Sequence, residues 1–566
     1  MPSSAAPAAG LRILLVASAY NSLTQRVDAE LTDRGHTVAS HVMSDDDALR
    51  TAIERHLPHL IVAPMLKTAL PEDVWASRVC LIVHPGPVGD RGPSSLDWAI
   101  TEGADRWGVT VLQAAREFDA GDVWASVECP LPRVAKSDLY RGEIADAALA
   151  AVHLAVERFA LRTYVPEPLE SALAARAGTA AVTGGLRPYL RQHIRSIDWA
   201  LDSTEIVLRK LRAADSFPGV LDELDGREFF LYGGHEEDEL RGRPGELLAR
   251  RAGAVCRATA DGAVWLTQLR PRRTPGGPAT YKVPATLALG PAAKRLPEVP
   301  APLSAGPGTW TDIRYRERGS VGYLHFSFPS GGMATAQCAR LLSAYEHAWS
   351  RPTDVLVLGG TRDFFSNGIH LGVIEAAPSP ADESWRNINA MNDLVHAVLT
   401  TTDKVTVAAL GGNAAAGGVM LALAADEVWA REGVVLNPHY RKMGLTGSEY
   451  WTYTLPLRTG VEQARSLLTE ARPVSARRAR ELGLVDYVIP ASPDAFTGEV
   501  EAVAERMAGS PELADWLRGK ADHRAKHEEA RPLAAYRENE LAKMRQTFYD
   551  PGAEYHRLRY AFMRKL

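Results

Sequence analysis

Cysteine is scarce in this chain: four in 566 residues, Cys80, Cys129, Cys256 and Cys338, none near another. That scatter excludes a C-x-x-C redox pair and a cysteine-built metal site, and it points to a reducing, cytoplasmic compartment. No apolar run reaches the roughly 20 residues that a membrane-spanning helix needs. The first residues, MPSSAAPAAG, lack both the basic region and the apolar run of a secretory signal, so a disordered tail is expected there. Charge of one sign is also in short supply. A net charge of −5 argues against general affinity for nucleic acid. Neither G-x-x-x-x-G-K-[ST] nor G-x-G-x-x-G occurs, which removes the two commonest glycine-rich phosphate cradles. No internal repeat is visible, and no residue cluster suggests a metal.

What is present is an ordinary globular composition, 46% apolar and 23% charged. A chain of this length exceeds one hydrophobic core, so about two to four domains are expected.

The front of the chain alternates strand-type and helical segments. Leu11–Ser18, His36–Met43, Leu60–Met65 and Val79–His84 are short apolar runs, and Asn21–Arg34 and Asp45–His56 carry helical periodicity. This alternation predicts a parallel, Rossmann-like sheet whose ligands bind beyond the carboxyl ends of its strands. His84 falls at such an end and leads into PGPVGDRGPSSLDWA. Trp107–Ala114 reads as another strand and Phe118-Asp119-Ala120-Gly121-Asp122 as a turn.

His84, Gly108-Val109-Thr110-Val111 and that turn together resemble the formyltetrahydrofolate-using enzymes, such as methionyl-tRNA formyltransferase, glycinamide ribonucleotide formyltransferase and formyltetrahydrofolate hydrolase. The resemblance implies His84 and Asp119 as the catalytic pair. A formyl group leaves a tertiary amide nitrogen through a tetrahedral intermediate. An imidazole can stabilise its oxyanion or shuttle a proton, and a carboxylate can orient the ring. Formyltetrahydrofolate is the implied donor, with Asn21, Gln25, Arg91 and Ser94 as candidate binding residues. The family's asparagine falls on Ile82, which cannot hydrogen-bond a formyl oxygen, and Asn21 is the candidate substitute.

Ser196-Ile197-Asp198-Trp199, then Leu211–Gly219, then alternating segments at Glu228–Tyr232 and Ala263–Leu269 resemble the small OB-like C-terminal β-barrel domain of methionyl-tRNA formyltransferase. That likeness places Ser216 near the folate. The segment is not markedly basic, so RNA binding is the less expected use. Leu296–Gly308, LPEVPAPLSAGPG, reads as a linker.

Two further apolar runs, Val355–Leu358 and Val405–Leu410, each end in a turn of small residues. Such turns let a ligand approach the backbone, and two together can aim two N–H groups at one oxygen. Phe365-Ser366-Asn367-Gly368-Ile369-His370 and Gly412–Met420 resemble the two loops of the crotonase (enoyl-CoA hydratase/isomerase) family. The resemblance implies a coenzyme A thioester, oxyanion donors at the N–H groups of Ile369 and Gly417, and Asn367, Gly368 and Gly418 along the ligand. The two glutamates with which hydratases handle water fall on Met420 and Tyr440, and neither is a carboxylate base. Alkene hydration is therefore not expected. Tyr440, with Tyr450 or Tyr453, is the candidate to move a proton or position the thioester. Pro511–Arg545 reads as solvated helices packed by one face. The basic, aromatic end, Tyr555–Lys565, could fold back onto a folate tail or coenzyme A phosphates.

Both halves in this order resemble the HypX/HoxX family of nickel–iron hydrogenase maturation factors. That likeness implies formyl transfer to coenzyme A and then loss of carbon monoxide from formyl-CoA, for the hydrogenase iron. Implied partners are hydrogenase maturation proteins or the hydrogenase large subunit, with no nucleic acid and no membrane; the oligomeric state stays open. Two alternatives remain at this point. One is a biosynthetic formyltransferase that acts on an amine or carrier-bound substrate, its crotonase half processing another acyl-CoA. The other is a non-catalytic scaffold. The expected fold class is α/β multidomain: a Rossmann-like formyltransferase domain over 1–180, an OB-like barrel over 181–295, a linker over 296–309, and a crotonase-fold domain with C-terminal helices over 310–566.

Overall fold

The computed structural model describes residues 10–566; the rest of the expected N-terminal tail, residues 1–9, lies outside the described residues. The chain divides into two compact units between Arg195 and Ser196.

The first unit is built on a six-stranded sheet in the order Thr37–Val42, Arg12–Ala17, Leu60–Met65, Cys80–His84, Arg106–Gln113, Val123–Pro130. The first four strands are parallel. Arg12–Ala17 and Leu60–Met65 are almost wholly buried, as strands covered on both faces must be. The expectation of a parallel sheet is corrected at the other edge, where Arg106–Gln113 and Val123–Pro130 run antiparallel. Helix Ser95–Glu102 ends on Gly103 at φ 74°, and that tight left-handed cap turns the chain straight back. The reversal sets Thr110 opposite His84.

The boundary expected at 180/181 is also corrected. Gly184 N–H bonds Val88 O, Arg91 N–H bonds Gly185 O, and Arg187 N–H bonds Arg91 O. The stretch through 190 thus roofs the loop that follows His84 and belongs to the first unit.

In the second unit, an antiparallel sheet runs in the order Val220–Leu224, Arg227–Glu237, Ala263–Pro271, Ala254–Ala258, Leu247–Arg251. Val207, Leu208 and Leu211 of helix Thr204–Ala214 pack with Phe229, Leu231, Val255 and Leu266 in its core. The expected linker is no free tether. Pro297 O and Gly308 O accept N–H groups of Arg250 and Asp238, and Leu303 O accepts that of Tyr315. A proline-rich strip can serve as pinned packing as well as a spacer, because its carbonyls still accept.

The crotonase-fold sheet runs in the order Ile313–Arg318, Val321–Phe326, Val355–Gly359, Val405–Leu410, Glu427–Arg431, Tyr487–Ile489. Its first pair is an antiparallel hairpin and the rest are parallel. Helices Leu513–Ala530, Leu533–Tyr549 and Glu554–Arg564 close the chain. The middle one buries Leu533, Leu541, Met544 and Phe548, as one-faced packing predicts, and buries Glu540 among them. No helix among the described residues is long and apolar enough to cross a membrane.

Candidate active sites

His84 is the last residue of its strand and is almost fully buried. Its Nδ1 lies 3.2 Å from Asp119 Oδ1, and its Nε2 lies 2.8 Å from Asp90 Oδ2. Asp119 sits at φ 56°, in the left-handed region of its turn, and its Oδ2 accepts the Gly92 N–H at 3.2 Å. Burial works against a charged imidazole here, yet Asp119 and Asp90 outweigh it and lift His84 to about 9. Burial likewise pulls Asp119 upward, but the His84 bond and charge, the Gly92 N–H and Arg91 hold it below the usual carboxylate range. At neutral pH the ring is therefore an imidazolium gripped on both sides. Sequence reasoning found His84 and Asp119 and missed Asp90. The available signal was a carboxylate inside the glycine-rich loop directly after the histidine.

The candidate folate residues fare unequally. Arg91 is near the pair: its charge reaches Asp119, and its guanidinium lies 3.3 Å from Glu117. Asn21 is the N-cap of helix Ser22–Asp33, its Oδ1 accepting both the N–H and the hydroxyl of Thr24 at 3.0 Å. Its carbonyl is committed to that cap, which leaves the Nδ2 amide as the group it can offer a ligand. Gln25 Nε2 donates to Tyr20 O at 3.0 Å, back onto the same helix start. Ser94 is buried, and its hydroxyl oxygen accepts the Leu190 N–H at 3.1 Å, fastening the roof segment. Ile82 packs against the apolar cluster of Leu14, Val16 and Ile61 and offers no donor. Ser216 belongs to the second unit, exposed in the turn after helix Thr204–Ala214, and so is not among the residues the first unit gathers.

In the second unit the two crotonase-like loops meet backbone to backbone. Ala415 N–H donates to Ser366 O at 2.9 Å, and a Cβ placed on Gly368 would lie 3.1 Å from Gly417 N. A Cβ on Gly418 would run into Ser366 O, so Gly418 serves this close approach. Asn367 Nδ2 donates to Ser330 O at 2.9 Å, while Gly368 donates its N–H to Ser366 Oγ. Asn367 thus pins its own loop. Among the described residues, the N–H groups of Ile369 and Gly417 donate to nothing. His370, the next residue, caps helix Leu371–Ala376 and lines a small pocket with Trp310, Asp312 and Gln337.

Met420 is core, as its apolar side chain requires. Tyr440 is buried, and its phenol donates to Glu449 Oε2 at 2.8 Å. Glu449 overturns the expectation of a site without carboxyl groups. It is 1% exposed, and a Cβ on Gly417 would run into its Oε1, so the carboxyl lies directly on the second loop. Glu449 and Tyr450 stand at φ 61° and 59°, a left-handed pair that folds the chain back over Gly417. Burial first, then Glu540, push Glu449 up to about 7 against the Tyr440 bond. Burial and Glu449 together hold Tyr440 well above the ordinary phenol range. The stretch Gly447-Ser448-Glu449-Tyr450 carried the signal, but it was read for its tyrosines.

Those tyrosines have other work. Tyr453 OH accepts from Arg524 at 2.8 Å and lies 2.9 Å from His527 Nδ1, both on helix Leu513–Ala530. Tyr450 is fully buried beside His396, facing Arg537. At the chain end, Arg559 and Arg564 both pair with Glu375, at 2.8 and 2.7 Å, so the two guanidinium groups share one carboxylate.

Comparison with known proteins matches residues 332–560 to the enoyl-CoA hydratase/isomerase family and residues 190–276 to the formyl transferase C-terminal domain. The hydrogenase maturation factor HoxX of Bradyrhizobium diazoefficiens is 46% identical over 557 residues, 98% of this chain and 95% of the relative. The chain belongs to the HypX/HoxX family of hydrogenase maturation factors. A crystal structure of HypX from Aquifex aeolicus in complex with tetrahydrofolic acid superimposes with a TM-score of 0.92 at 42% identity, over 98% of this chain and 96% of that one. A putative enoyl-CoA hydratase of Thermus thermophilus is 33% identical over 196 residues, 34% of this chain and 76% of its own length. The family thus joins a formyltransferase-like part and a crotonase fold in one chain.

Proposed function

We propose that this protein makes carbon monoxide from formyltetrahydrofolate in two steps, for the iron of a nickel–iron hydrogenase. In the first, the thiol sulfur of coenzyme A bonds to the formyl carbon, the bond from that carbon to the pterin nitrogen breaks, and the thiol proton passes to the nitrogen. His84, held by Asp119, faces the formyl oxygen as charge builds on it. In the second, formyl-CoA has no α-carbon, so enolate chemistry is closed to it. Glu449 takes the formyl proton, the C–H pair stays on carbon, and the C–S pair leaves with sulfur. The thiolate then takes the proton back, giving carbon monoxide and free coenzyme A with no oxidant or reductant. The Ile369 and Gly417 N–H groups hold the formyl oxygen, and Tyr440 steadies Glu449. Hydrogenase maturation proteins or the large subunit receive the product.

The reading rests on one observation above all: a buried carboxyl, bonded to a tyrosine, lies against Gly417, whose N–H and that of Ile369 on the facing loop are both unspent. A group that takes and returns a proton works best with a pKa near the working pH. The complex of a family member with tetrahydrofolic acid lends support. The test is purified protein with formyltetrahydrofolate and coenzyme A in a sealed vial, the headspace assayed with haemoglobin. Carbon monoxide is expected from the native chain, and Glu449→Gln is expected to stop it and leave formyl-CoA behind. If neither carbon monoxide nor formyl-CoA forms, the proposal fails.

A further inference from the structure

We infer that Asp90 is a positioning residue of the formyl-transfer site, which by gripping the second ring nitrogen of His84 makes that histidine work as a fixed cation and not as a base. The inference deepens the formyl-transfer reading and rests on it.

Asp90 follows His84 by six residues in the loop Pro85–Arg91, and its side chain is 2% exposed. Among the described residues His84 is its only ionic partner. The neighbouring cations are engaged elsewhere: Arg91 with Glu117, and Lys136 and Arg195 with Asp97. A buried carboxylate without a partner is costly, so the charge on Asp90 calls for a charged ring.

The fold clears space for this contact from two sides. A Cβ on Gly86 would lie 2.5 Å from His84 Nε2 and would overlap the Asp90 carboxylate. A Cβ on Gly184 would overlap Asp90 itself. Neither glycine stands at positive φ, so close approach, and not backbone conformation, is what calls for glycine at both places. The roof strand carrying Gly184 bonds to Val88 and Arg91 and keeps water from the pair.

One carboxylate orients an imidazole; two, one on each nitrogen, require that both nitrogens carry protons. The charged groups facing His84 are Asp90 from its own loop and Asp119 from the following turn, with Arg91 acting through Asp119. A ring that keeps both protons cannot take one from an acceptor. Its Nε2–H, kept on the ring by Asp90, is the proton it can turn to a formyl oxygen as charge builds there. Ile82 stands where an asparagine would supply a neutral donor to that oxygen, and the Nε2–H of the ring makes good the loss. The acceptor also fits: a thiol ionises near pH 8.5, far more readily than an amine loses a proton, so a site without a base suits it.

The test uses full-length protein with ¹³C-labelled histidine, the His84 resonance identified by its loss in His84→Gln. The native ring is expected to titrate at about 9. Asp90→Asn should lower that midpoint by about one to two units. The alkaline limb of formyl-CoA formation should move down with it, with KM for formyltetrahydrofolate little changed. Gly184→Ala, which crowds Asp90 and leaves its charge in place, should move the midpoint in the same direction and covers the case in which Asp90→Asn fails to fold. An unmoved midpoint and an unmoved alkaline limb in the folded variants would overturn the inference. If the native protein forms no formyl-CoA although the midpoint shifts, the formyl-transfer reading fails and the histidine clamp stands as geometry alone.

Discussion

Gly417 and Ile369 contribute no side-chain chemistry; each offers a backbone N–H that nothing else claims. Proline has no N–H. Ile369→Pro should therefore abolish carbon monoxide release while formyl-CoA continues to form, which headspace assay and chromatography of the same reaction would resolve. Glu449 sets a second expectation. It acts as a base only when ionised, and its folded value is about 7. Carbon monoxide release from supplied formyl-CoA should rise through pH 7 on its acid limb, and Glu449→Gln should remove both limb and activity. The residue scale is also where sequence reading was most uneven. Glycines at 417 and 418 stood out because the backbones there nearly touch, and such approach leaves a mark in residue type. Asn21 obeyed a local rule as plain as any, that of the helix N-cap, which takes its carbonyl and leaves its amide N–H groups.

Helix Leu533–Tyr549 is more than a cover. Glu540 reaches from it to accept the N–H groups of Tyr450 and Thr452 at 2.9 and 2.8 Å. These bonds tie down the turn whose positive φ values hold Glu449 on Gly417. Glu540→Ala would strand two buried donors, a cost of about 2 kcal/mol or more in thermal unfolding. It should also slow carbon monoxide release more than formyl transfer. Burial raises Glu540, like Glu449, to about 7. Both folded values lie above the unfolded carboxylate value, so the folded state binds more protons. The stability these groups contribute is full at acid pH and is lost as pH rises through about 7. The melting temperature should accordingly fall between pH 5 and pH 8, less steeply in Glu449→Gln. A charged helix with one-sided packing is legible from period alone, but which of its glutamates turns inward is not.

At the scale of the molecule, the two chemistries belong to different units, with His84 in one and Glu449 in the other. His84→Ala should stop carbon monoxide production from formyltetrahydrofolate and leave it intact when formyl-CoA is supplied. Loss of both would argue against separable sites. The sequence by itself determined the order of the parts, the strands, the paired loops and the first histidine–aspartate pair, because each depends on residues close in sequence or on tight glycine turns. Only the tertiary structure decided which carboxyl groups complete the sites. Asp90 meets His84 under a roof that includes Gly184, and Glu449 reaches Gly417 through a turn held by Glu540. Asp90 is only six residues from His84, but the roof over it and the Glu540 tie come from far along the chain, and burial, which no local pattern encodes, gives these charges meaning.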